Sequence, residues 1–435
     1  MMQTIDLRGT QPTAAELLAL VPRSGSDVAD AEHVAAELVA DVRARGAAAL
    51  LDQSERFDGV RPEALRVPRS HLDEALAALD PAVADAARET IRRVRAASAA
   101  QVPPPGRTEL GDGAVVEQRW QPVGRVGLYV PGGKAVYPSS VIMNVVPAQV
   151  AGVASIAIAS PAQTAHDGRV HPTILAIAAL LGVDEVYAMG GAGAIGAFAY
   201  GVPDAGLEPV QVVTGPGNRF VAAGKRVVRG VVGIDAEAGP TDILVIADAS
   251  ADADLVASDL VSQAEHDELA AAVLVTDDAA FADAVAERLA ARQAATRHAD
   301  RVRASLTGEQ SATVLVDDLA QAAAFANAFG PEHLEIQVAD PDAVLALIEN
   351  AGAIFIGPYS PVSLGDYSAG SNHVLPTGGH ARFGSGLSAA TFLRPQQVVR
   401  YDERGLAAVA DGIDALALAE ELPAHAEAVR ARFAR

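Results

Sequence analysis

The chain has 435 residues, 50% of them apolar and 20% charged, a length beyond one ordinary core, so two or more domains are expected. With 33 basic against 55 acidic side chains its net charge is -22, which suits a soluble, self-repelling surface and excludes a nucleic-acid backbone as partner. It has no cysteine, which excludes disulfides, thiolate metal sites and a thiol nucleophile and leaves imidazole and oxygen as the only metal donors.

From the start, Met1 to Leu20 carries Asp6, Arg8 and Glu16 and so holds no signal-peptide segment; a cytoplasmic protein is expected. Helical periodicity runs from about Thr13 to Ala100, as in Leu72, Leu76, Leu79 and Val83, until Pro103-Pro104-Pro105-Gly106 breaks it. After a short β segment at Val115–Pro122, strands alternate with helices. The strands are read at Val126–Val130, Ser155–Ala159, Glu185–Met189, Val210–Thr214 and Val231–Asp235. The uncharged run from Ala135 to Ala165 is long enough to raise a membrane span, but Asn144, Pro147, Gln149 and Ser155 divide it into a buried helix and a buried strand, so no membrane is expected.

A second set follows at Ile243–Ala247, Ala272–Thr276, Thr313–Val316, Leu334–Val338 and Ala353–Ile356, and Arg382 to Arg435 reads as Ala-rich helix. The fold class is therefore α/β, two Rossmann-like parallel-sheet domains with small helical N- and C-terminal segments. The expected division is an extension over 1–26, a first α/β domain over 27–121 and 241–380, a second over 122–240, and a helical tail over 381–435.

Four stretches carry candidate chemistry. In Gly330-Pro331-Glu332-His333-Leu334-Glu335, Gly-Pro stops a helix and Leu334 starts a strand, so a carboxylate and an imidazole share a corner where they can divide proton transfer. Gly191-Ala192-Gly193-Ala194-Ile195-Gly196 matches a dinucleotide fingerprint in local context, or is a tight turn made for packing; the acid expected at the end of the next strand is absent. Gly215-Pro216-Gly217-Asn218 is the better phosphate or ribose contact, because glycines admit close backbone approach and a helix starts there. Gln263 and His266, three apart at a helix end, make half of an O/N zinc site or a solvated cap, and the polar loop 365–377 after the last strand suits a ligand or packing.

Together with Gly-Leu-Tyr-Val-Pro-Gly-Gly at 127–133, these motifs (Gly-Pro-Gly-Asn, Ser-Gln-Ala-Glu-His at 262–266, Pro-Glu-His-Leu-Glu at 331–335 and Gly-Asp-Tyr through Asn-His-Val-Leu-Pro-Thr at 365–377) resemble histidinol dehydrogenase in matching order over nearly the whole chain. The resemblance implies a zinc-dependent homodimer that oxidises L-histidinol through histidinaldehyde to L-histidine with two NAD+. By position it implies zinc on Gln263, His266, Asp366 and His425, which also contact substrate, and Glu332 and His333 as acid and base. It further implies His373, Glu420, Thr241 and His333 against substrate, Tyr129 and Asn218 against NAD, and a tail that crosses to the other subunit. Gly193 stands where the family motif has a glutamine, which removes one expected NAD contact. The competing readings are a relative acting on another amino alcohol or diol, and a zinc-holding binding protein without catalysis.

Overall fold

A computed structural model describes residues 2–22, 28–132, 136–237 and 239–434; Gly133, the head of the uncharged run at Ala135 and the expected boundary at 26 lie outside the described residues. In chain order the strands are β1 (Gln3–Asp6), β2 (Gly106–Gly111), β3 (Ala114–Pro122), β4 (Arg125–Tyr129), β5 (Ser155–Ser160), β6 (Val186–Ala188) and β7 (Val212–Thr214). They continue as β8 (Gly233–Ile234), β9 (Asp242–Ala247), β10 (Ala271–Thr276), β11 (Ala312–Leu315), β12 (His333–Gln337), β13 (Ala353–Ile356) and β14 (Leu393–Tyr401). All ten strands expected from the alternation are present within a few residues of their expected bounds. Such runs as Asp-Ile-Leu-Val-Ile-Ala in β9 and Ala-Ala-Val-Leu-Val-Thr in β10 are buried along their full length, as strands covered on both faces require.

The chain forms two compact units, Met1–Gln101 with Gly124–Phe392, and Val102–Val123 with Leu393–Arg435. The first unit holds both parallel sheets. One has the order β1-β11-β10-β9-β12-β13 and the other β6-β5-β4-β7-β8. The N-terminal extension is thus partly a strand, β1, which pairs with β11 and lengthens the first sheet to six. In each sheet the winding reverses once, between β9 and β12 in the first and between β4 and β7 in the second. Reversals of this kind open a crevice at the strand ends.

The second unit corrects the reading of the tail as helix throughout. Leu393–Tyr401 is a nine-residue strand, paired antiparallel with β3 from Leu393↔Pro122 to Tyr401↔Ala114. Residues 102–121 were expected to go with the first α/β domain and pair with this tail instead. No clean period-two alternation announces it, since Val398 falls in phase with Arg394, Gln396 and Arg400 and Gln397 with Leu393 and Tyr401. Pro395 is tolerated because β14 is an edge strand. The helices Glu403–Ala419 and Pro423–Arg430 then close the chain.

The uncharged run divides as expected into the helix Pro138–Ala151, with ten buried residues, and β5. Among the described residues no helix is long and apolar enough to cross a membrane.

Candidate functional site

Parallel pairing of β12 with β9 sets His333 opposite Ile243, and so brings Glu332 beside Asp242 at the amino ends of both strands. Asp242 then meets the pair three times. Its side-chain Oδ1 accepts the Glu332 N–H at 2.8 Å, its own N–H donates to Glu332 Oε2 at 3.1 Å, and its carbonyl lies 2.9 Å from His333 Nδ1. A carbonyl only accepts, so Nδ1 carries the hydrogen and the neutral ring keeps Nε2 as its basic nitrogen. Glu332 Oε2 also accepts from the Thr241 hydroxyl at 2.5 Å, and Thr241 in turn accepts from Gln263 Nε2 at 2.7 Å. Glu332 and His333 are both buried. Burial pushes the Glu332 carboxyl up to about 7, against the pull of His333 and the Thr241 hydroxyl. A carboxyl poised there exchanges protons readily at neutral pH.

Gln263 sits in the last turn of the helix Ala253–Ala264 with 2% exposure, and its Oε1 has no hydrogen-bond partner. An orphaned buried amide oxygen costs about 1–3 kcal/mol unless something electropositive meets it. Three residues on, burial lowers the pKa of the His266 imidazole, with His333 acting in the same direction and Asp366 and Glu265 against it. Asp366 also lies 3.9 Å from His373, whose Nδ1 donates to the Asp366 carbonyl at 3.0 Å. This chain therefore gathers an amide oxygen, an imidazole and a carboxylate, a donor set that fits zinc without thiolate. Among the described residues no three His, Cys, Asp or Glu side chains stand together as a ready cage. The fourth implied ligand, His425, and Glu420 belong to the second unit, where both are exposed.

Loop 365–377, for which the sequence left ligand contact and packing open, follows the last strand of the first sheet and returns to the amino end of β9. Thr377 accepts the Gly239 N–H at 2.5 Å, Asn372 donates to the Met143 carbonyl at 2.6 Å, and His373 Nε2 meets the Ser140 hydroxyl at 3.1 Å. Both ring nitrogens of His373 are thus engaged within the protein. Ser140 begins a buried polar thread: its carbonyl accepts from Asn144 Nδ2 at 2.8 Å, and Asn144 Oδ1 accepts from the Thr214 hydroxyl at 2.7 Å. Thr214 ends β7, at the reversal point of the other sheet.

The candidate cofactor residues meet at that point. Tyr129 ends β4, and its hydroxyl accepts the Gly191 N–H at 3.2 Å, while burial pushes its pKa up to about 12. Gly215 has φ +116°, and a Cβ there would lie 2.0 Å from the Tyr129 carbonyl, so only glycine fits. Asn218 caps the helix Arg219–Val228, its Oδ1 accepting the N–H groups of Phe220 and Val221 at 3.0 and 3.2 Å. Gly193 is different. It lies buried inside the helix Gly191–Tyr200, and a Cβ there would meet Gln53 Oε1 at 2.0 Å; one at Gly196 would meet Val39 at 3.2 Å. Gly193 and Gly196 serve packing within a helix, and not in the tight turn that the sequence suggested as the alternative to a fingerprint. Missed in the sequence were Asp242, hidden as the first residue of an apolar strand, and Ser140 and Asn144, visible as polar breaks in an uncharged run.

The chain is an α/β protein with a buried acid and base at the amino ends of β9 and β12 and a glycine-lined turn at the carboxyl end of β7. Residues 21–433 match the family model for histidinol dehydrogenase. Histidinol dehydrogenase of Leifsonia xyli subsp. xyli is 67% identical over 432 residues, covering 99% of each chain, and that of Corynebacterium diphtheriae is 56% identical over 438 residues, covering 100% of this chain and 98% of the relative. The crystal structure of histidinol dehydrogenase from Elizabethkingia anophelis superposes with a TM-score of 0.93 at 31% identity, covering 99% of this chain and 98% of that one. The chain belongs to the histidinol dehydrogenase family.

The raised carboxyl has a consequence for stability. Glu332 holds its proton in the fold up to about pH 7, but only to ~4.3 when unfolded, so the stability it contributes is complete at low pH and is lost as pH rises through 7. In metal-free protein, Glu332→Gln removes that slope and gains up to ~3 kcal/mol over the native chain at about pH 8, with little gain at about pH 4. Urea unfolding at both pH values measures it; a gap between variant and native chain that does not widen with pH would contradict the assignment.

Proposed function

We propose that this protein oxidises L-histidinol through histidinaldehyde to L-histidine, with two NAD+ and one Zn2+, as the closing steps of histidine biosynthesis in the cytoplasm. The observation that carries the reading is the Asp242 contact set, which leaves His333 Nε2 as the basic nitrogen and seats it beside a Glu332 carboxyl that burial raises to about 7. Gln263, His266, Asp366 and His425 would hold zinc, which would supply a Lewis acid to the bound substrate. The Gly215–Asn218 turn and Tyr129 suit NAD+, which accepts one hydride in each oxidation.

The chain's own residues then divide the work. In the first oxidation His333 Nε2 takes the hydroxyl proton as the carbinol C–H leaves with its electron pair, giving the aldehyde. Glu332 next takes a proton from water as the water oxygen adds to the aldehyde carbon, and His333 returns its proton to the former aldehyde oxygen, which forms a gem-diol and leaves His333 free to act again. In the second oxidation His333 takes a diol proton as the remaining C–H leaves as hydride, giving the carboxylic acid. Two hydrides and one water balance alcohol to acid. No thiolate is required, in keeping with a chain that has no cysteine. His373 positions Asp366 through its Nδ1 bond and stands against the substrate, with Thr241 between Gln263 and Glu332.

Glu420 and His425 complete the site from the tail of a second subunit in a homodimer. Supporting this are their exposure in their own unit and the family's shared tail. His333→Ala and His425→Ala, each inactive alone, should recover about half the activity of a native dimer in a verified mixed dimer, because one of its two sites is then intact. No recovery would mean that the tail serves its own chain.

Incubated to completion with limiting L-histidinol, the enzyme should yield two NADH per substrate, and His333→Ala should lower the rate by at least ~100-fold. One NADH, with aldehyde accumulating, would remove the second oxidation from the account.

A further inference from the structure

Lys134 and Lys225 are the only lysines in a sequence that otherwise draws its positive charge from arginine. Lys225, in the helix Arg219–Val228, is 1% exposed. Its ammonium has three hydrogens and meets three acceptors: the Gly215 carbonyl at 2.5 Å, Asp235 Oδ1 at 2.6 Å and the Ala236 carbonyl at 3.3 Å. A planar guanidinium does not converge on three acceptors about one point, which accounts for lysine here. The other oxygen of Asp235, Oδ2, accepts the Gly215 N–H at 2.8 Å. Both polar groups of Gly215 are therefore held by one ion pair, on a residue whose φ of +116° and seat against the Tyr129 carbonyl already demand support.

The pair reaches two ways. On one side, Gly215 opens the turn that ends at Asn218, whose Oδ1 is spent on the helix cap, so a ligand is met by its amide N–H groups and the backbone of the turn. On the other, Asp235 and Ala236 begin the short segment from β8 to Thr241 and β9. Neither Lys225 nor Asp235 has a hydrogen bond to Glu332 or His333. We propose that the Lys225–Asp235 ion pair is a positioning device that sets the Gly215–Asn218 turn for the dinucleotide, and governs cofactor affinity without a share in proton transfer. This inference rests on the NAD+ reading above.

The test uses the zinc-loaded dimer and NAD+ itself. Asp235→Asn keeps the shape and removes the charge; Lys225→Met removes the donor. Each should raise the Kd for NAD+, measured by calorimetry, and the KM for NAD+ by at least ~10-fold, while the KM for histidinol stays within about twofold. The double variant Lys225→Gln/Asp235→Asn, which restores a neutral hydrogen-bonded pair, should recover part of the loss. Should a single variant fail to fold, Lys225→Met/Asp235→Leu leaves no buried charge and gives the same reading. With both constants measured well below each variant's unfolding transition, lowered thermal stability with unchanged NAD+ affinity would overturn the proposal and reduce the pair to structural glue. A native enzyme that binds no NAD+ would instead sink the cofactor reading, a separate result.

Discussion

Pairing of β12 against β9 is the constraint on which the site depends. A shift of one residue in that register would turn His333 and Glu335 to the opposite face and separate Glu332 from Asp242. In the register observed, one aspartate uses its side chain, its N–H and its carbonyl to fix the acid and the base together. Two of these contacts belong to main chain, so they hold as firmly as the sheet does. The buried carboxyl beside them would be costly without the Thr241 hydroxyl and the Asp242 N–H that it accepts.

The two sheets contribute opposite ends to one region. Tyr129 and Gly215 lie at carboxyl ends, where the reversal of an open sheet gathers ligands. Glu332, His333 and Thr241 lie at amino ends. The chain itself joins the two, since the segment after β8 leaves one sheet at its carboxyl edge and enters β9 at its amino edge. The thread His373, Ser140, Asn144 and Thr214 spans the same junction with hydrogen bonds of 3.1, 2.8 and 2.7 Å. The groups proposed for substrate and for cofactor are thus tied through a single buried helix, Pro138–Ala151.

Much of this was legible in the sequence because parallel strands leave long apolar runs and glycine turns mark their ends. The corner Gly330-Pro331 ends a helix and leads into β12 as the sequence suggested, and a helix starts after Gly215-Pro216-Gly217-Asn218 as read. What stayed hidden were contacts that no local pattern encodes. Asp242 reads as an ordinary strand start until β12 lies beside it. The destination of loop 365–377 depends on Asn372 and Thr377 finding main-chain partners far away in sequence. Strand β14 was lost among helix-forming neighbours, and Gly193 looked like a ligand position although Gln53 fills the space a side chain there would need.

The most direct measurement of the central claim is the tautomer of His333. In metal-free protein labelled with 15N-histidine, with His333→Ala used to assign the signal, the account predicts a proton on Nδ1 and none on Nε2 in the neutral ring. A proton on Nε2 would remove the His333 hydrogen bond to the Asp242 carbonyl, and the division of roles proposed for Glu332 and His333 would fail with it.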